Sequence, residues 1–167
     1  CCLPRQLCKA LPRLRIGLVW AAAATASCFV AAEESPFKAE KHDDRFVITH
    51  GGKPVATYVF RDEKILRPYF AHVHAPDGTQ VTRHHPPRPG IDAVDHDTMH
   101  PGIWLAFGDL NGADSWRNKD QIKFRKSEDP SVDDGRCHIH CLYECLHGDR
   151  RLCYLEDSHS IRPLGDG

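Results

Sequence analysis

Arg45-Phe46-Val47-Ile48-Thr49-His50-Gly51-Gly52-Lys53-Pro54-Val55-Ala56-Thr57-Tyr58-Val59-Phe60 decides the fold class. Two runs rich in β-branched and aromatic residues flank a Gly-Gly pair, the signature of a tight β-hairpin. Downstream the pattern repeats in shorter pieces. Arg67 to Ala75 is a third strand candidate, stopped by the turn Pro76-Asp77-Gly78. Thr79 to Arg83 is a fourth, and Gly102 to Asp109 is a fifth and the most apolar. Gln121 to Lys126 alternates weakly. Arg136 to Cys145 alternates clearly, with Cys137, Ile139, Cys141, Tyr143 and Cys145 on one side. No segment after residue 32 has a 3.6-residue apolar period. Short strands joined by Gly/Pro turns predict an all-β, antiparallel β-sandwich. From Gly148 onward clean alternation is lost, and the end, Pro163 to Gly167, is expected to bring no closing strand. Too few strands for a closed sandwich predict a domain that continues beyond Gly167.

The N-terminus reads as an export signal. Lys9, Arg13 and Arg15 precede an apolar, small-residue run from Ile16 to Ala32, and Val30-Ala31-Ala32 fits a small-x-small cleavage site. Residues 1–32 are therefore predicted to be a signal peptide and residues 33–167 the N-terminal portion of one sandwich domain. The run is short of the ~20 apolar residues of a span, and no second one follows. A periplasmic or secreted protein without a membrane span after signal removal is expected. The first residue is Cys1, as in a fragment. A net charge of -1 gives no pull toward nucleic acid. Cys137, Cys141, Cys145 and Cys153 remain after the signal. Four cysteines in an exported protein could form two disulfides, but the first three would share one strand face, too far apart to pair easily.

The candidate chemistry lies in the long loop from His84 to Gly102. Asp95-His96-Asp97-Thr98-Met99-His100 sets acids beside two of the chain's twelve histidines, and an apolar run with Trp104 follows. His96 and His100 are candidate proton donors, because imidazole titrates near neutral pH. Asp95 and Asp109 are their candidate orienting or basic partners. Trp104 is expected in the core. Trp116 fits either core or a face that stacks against a sugar. Arg83, Asn111, Trp116 and His72 are the candidate substrate-binding residues. His-x3-His also permits a divalent metal, zinc or copper, with His96, His100 and His74 as ligands. Cys137, His138, His140, Cys141, Cys145 and His147 have zinc-like composition without zinc spacing, and read better as a buried strand face.

Several motifs occur in one order: Arg67-Pro68-Tyr69-Phe70, Pro76-Asp77-Gly78, Val81-Thr82-Arg83, Asp95-His96 to Trp104, Phe107-Gly108-Asp109-Leu110-Asn111-Gly112, and Trp116. Over roughly Arg45 to Tyr143 the chain resembles a group of uncharacterised exported bacterial proteins, common in planctomycetes and often labelled methane oxygenase PmoA. Many relatives have a tighter Asp-His-Pro-His-His-Arg-Gly run, so no ligand role passes to Thr98 or Met99. The label's namesake, a membrane subunit, needs several long apolar spans that are absent here. By fold analogy the family resembles galactose-mutarotase-like sandwiches, which implies a carbohydrate-related protein using His/Asp acid-base chemistry. A metal-binding protein and a non-catalytic glycan-binding module are the alternatives.

Overall fold

The computed structural model describes residues 36–162, within the unit Glu33–Gly167. The predicted signal segment, residues 1–32, and the last five residues lie outside the described residues. Nine antiparallel strands and no helix occur among them: β1 (Phe37–Lys41), β2 (Arg45–His50), β3 (Lys53–Val59), β4 (Tyr69–Ala71), β5 (Ile103–Trp104), β6 (Ile122–Ser127), β7 (Ser131–Asp133), β8 (Arg136–His147) and β9 (Arg150–Ile161). One sheet runs β1-β2-β3-β4-β5. In the other, β6 and β7 pair successive stretches of β8, and β9 pairs β8 as well.

The Gly51-Gly52 hairpin forms as its sequence predicts. Both glycines have positive φ (56° and 78°), the two-residue turn geometry that matches strand twist. Pro130 cannot donate to a ladder, and it falls where the pairing along β8 passes from β6 to β7. Asp134-Gly135, with φ of 43° and 67°, then reverses the chain into β8.

The two sheets form an all-β antiparallel sandwich around one principal core. Phe37, Phe46, Ile48 and Tyr58 of the first sheet meet Ile122, Cys137, Ile139, Cys141, Tyr143 and Cys145 of the second. The period-two pattern of β8 is the cause: every odd residue from 137 to 145 points inward. Each such large side chain contributes ~1.5–3 kcal/mol by leaving water. The three inward cysteines are free thiols. Burial pushes Cys141 up to about 11 and Cys145 to about 12, so they stay protonated. Among the described residues no three His, Cys, Asp or Glu side chains gather as metal ligands, and the Cys/His stretch of β8 is a strand face, as read.

Several strand expectations need correction. The fifth strand is only Ile103–Trp104, and Ile103 and Leu105 are each 56% exposed. Beyond it the chain is drawn into a turn: Ser115 Oγ takes the Phe107 amide at 3.0 Å, and Trp116 N donates to Phe107 O at 2.9 Å. The fourth run forms a single bridge, His74 to Gln80. The segment after Gly148 is a strand after all. β9 pairs with β8 from Arg150 to Ile161. Its alternation was hidden because two of the half-buried positions, Asp157 and His159, are polar.

Candidate functional site

Two arginines build the histidine loop. Arg83, at its root, donates Nε to His100 O (2.8 Å), Nη1 to Ala93 O (2.8 Å) and Asp95 O (2.9 Å), and Nη2 to His96 O (2.9 Å). The fork of a guanidinium suits this multi-carbonyl grip. A residue proposed to bind substrate thus holds the loop's backbone. Arg67 grips from beneath. It is 3% exposed and donates to Met99 O (2.8 Å) and Ser115 O (3.1 Å), tying the histidine loop to the loop that carries Trp116. Its guanidinium also lies 5.5 Å from the Trp104 ring centroid. Desolvation holds the Arg67 pKa below its ordinary value. Nothing in the periodicity gave Arg67 this part.

Between these anchors, residues 95–100 form one turn in which the amides of Met99 and His100 both donate to His96 O, at 3.0 and 2.9 Å. The turn brings the two imidazoles to 5.7 Å between centroids. His96 Nδ1 lies 3.0 Å from Asp95 Oδ2, and this contact is the main reason the Asp95 carboxyl sits below its usual range. His96 itself has φ of 50°, a conformation uncommon outside glycine. His100 stacks on Trp104 at 5.4 Å and 26°, and Trp104 meets Trp116 at 5.8 Å and 45°. Trp104 is partly buried against Val59, Ile65, Tyr69 and Ala71, as its apolar context predicts, yet its ring also carries the row His96-His100-Trp104-Trp116. Trp116 is 43% exposed, which places it on a face and not in the core.

Other predicted residues fall elsewhere. Asp109 accepts from Gly112 N at 2.8 Å and, with Asn111 at φ 51°, shapes the Leu110–Ala113 turn. No hydrogen bond or ion pair joins it to His96 or His100. His72 Nε2 lies 3.1 Å from His85 O, and its ring is 6.5 Å from that of His84. His84 in turn sits 2.9 Å from Asp92, whose carboxylate also takes the amides of His84 and Arg88. Burial lowers the pKa of both His72 and His85, favouring their neutral forms. His74 bridges to Gln80 and forms no ligand group with His96 and His100.

A second polar cluster was not foreseen. The Tyr58 hydroxyl donates to Asp157 Oδ2 and lies 2.8 Å from the Tyr143 hydroxyl. His159 Nε2 lies 2.9 Å from Asp157 Oδ1, and its ring sits edge-on to Tyr58 and Phe70. Burial alone would raise the Asp157 carboxyl; His159 and Tyr58 outweigh it and hold the carboxyl below its ordinary value. Burial likewise pushes both tyrosine hydroxyls far up, so they remain protonated donors. The available signal was the polar residues at alternate positions of β9.

No curated protein and no solved structure matches the chain. Residues 45–152, which span the hairpin, both loops and β8, match DUF6807, a family of unknown function, and the chain belongs to that family.

Proposed function

We propose an exported, periplasmic or secreted carbohydrate-related protein of the bacterial type labelled methane oxygenase PmoA and common in planctomycetes. Its sandwich is proposed to be of the galactose-mutarotase kind. The observation that carries the reading is the aromatic row His96-His100-Trp104-Trp116 beside the Asp95 carboxylate. Flat rings offer the apolar face of a sugar a stacking surface, and the flanking acid and imidazoles meet its hydroxyls. In a sugar-modifying step His96 donates a proton to a substrate oxygen while Asp95 stabilises the imidazolium and fixes the ring's orientation. His100, one ring away, is the second proton-transfer group. A divalent metal needs a third ligand that the described residues do not bring to this pair.

The exposure of the pair favours one alternative specifically. The side chains of His96 and Asp95 are 54% and 69% exposed, so water is not excluded from them. A non-catalytic glycan-binding face needs only the rings.

The test is titration of the purified protein with a panel of methyl glycosides and glycans, followed by the indole N–H signals of Trp104 and Trp116. Binding is expected, weakened roughly tenfold in Trp116→Ala, the ~1.4 kcal/mol of one lost stacking contact. Product formation that disappears in His96→Ala supports chemistry; binding with unchanged ligand supports the module. A panel that leaves both indoles unmoved ends the carbohydrate reading.

A further inference from the structure

We propose that the cleft between β9 and the β3-β4-β5 end of the first sheet binds a small organic ammonium ion with an apolar body. The cleft is a cavity of about 250 Å3. That is just below the ~300–1,000 Å3 of typical ligand sites, so it takes a single headgroup or ring and no oligosaccharide. Phe70, Trp104, Leu105 and Leu155 wall it, and Asp157 and His159 are its chemistry. Leu105 stands open to solvent at the rim, which leaves a way in.

Hydrogen-bond and charge accounting select the ligand. A carboxylate offers about four acceptor positions. The Tyr58 hydroxyl occupies one on Oδ2. His159 Nε2 is close to Oδ1 but is not aligned as a hydrogen bond, and it is a buried nitrogen without a hydrogen-bond partner. The Asp157 side chain is 18% exposed, and among the described residues no lysine or arginine pairs with it. Among the described residues His159, at Oδ1, is its single ion-pair partner, and elsewhere in the cleft the carboxylate faces apolar walls. Such a charge is costly unless it is matched. A primary ammonium brings a permanent charge at neutral pH and three donors. A neutral sugar would press several hydroxyls against walls that cannot bond them. The site shares the Trp104 ring with the row proposed for sugars but is otherwise separate from it, because Trp116, His96 and His100 do not line it.

Calorimetric titration of the full chain with benzylammonium and with benzyl alcohol tests the proposal, since the two probes differ chiefly by charge. Benzylammonium is expected to bind at least about tenfold more tightly, the effect of one partly buried charge pair. Asp157→Asn should bring it to the alcohol's level, and Trp116→Ala should leave it unchanged, whatever becomes of the glycan reading. Equal affinity for the two probes overturns the proposal, and that comparison stands even if Asp157→Asn fails to fold. So does undiminished benzylammonium binding by a folded Asp157→Asn protein.

Discussion

Replacing Arg83 by methionine keeps the apolar stem and deletes the fork that grips the loop. Four bonds of 2.8–2.9 Å to backbone carbonyls are lost at once. At ~0.5–1.5 kcal/mol net each they sum to roughly 2–6 kcal/mol. The loop is open to water, so its freed carbonyls rehydrate, and about half of that, ~1–3 kcal/mol, is the expected cost of loosening the turn. The cost falls on local opening and not on the sandwich, because neither core cluster contains Arg83. Amide hydrogen exchange reads it directly. The Met99 and His100 amides, both bonded to His96 O, should lose about 5- to 150-fold in protection. Amides of β8 should be unchanged. Unaltered protection at Met99 and His100 would refute the assignment of Arg83 as the loop's anchor.

Two further outcomes follow from the geometry. A Cβ at Gly102 would stand 1.9 Å from Phe70 O, so Gly102→Ala should force β5 off β4 and destabilise by ~1–3 kcal/mol in urea unfolding, with the Trp104 indole signal displaced; a neutral substitution would contradict the close approach. Asp62 is also partly buried, which alone would raise its pKa; it accepts from Tyr69 Oη (2.7 Å) and from the amides of Lys64 (2.7 Å) and Ile65 (3.0 Å), which outweigh burial and depress the carboxyl. A depressed carboxyl contributes stability that is present above its unfolded value, about 4, and lost as pH falls through the lower folded value. The melting temperature should therefore fall as pH drops from about 4, and Asp62→Asn should flatten that part of the profile.

The sheets were largely legible from residues in order. Gly51-Gly52 between two β-rich runs specified the hairpin, and the odd-numbered apolar positions of β8 specified its inward face, because both signals are local. β9 was not legible, since Asp157 and His159 take inward positions where an apolar residue would have kept the period. The long apolar run after Gly102 misled for the converse reason: hydrophobicity there serves a loop held by Ser115 and a rim, not a strand.

The candidate site divides along the same line. Residue order determined that Asp95, His96 and His100 would be neighbours, because one turn spans them. Which groups face them depends on contacts between distant residues, and only the tertiary structure decided that. Arg67 and Arg83 grip carbonyls that lie 10 to 48 positions along the chain. Asp109 turns to Gly112 and away from the histidines. Asp157 meets Tyr58 from 99 positions away. Spacing alone encodes which side chains share a turn or a strand face. Where an arginine's donors end, or which carboxylate comes to line a cleft, is settled only when the sheets close.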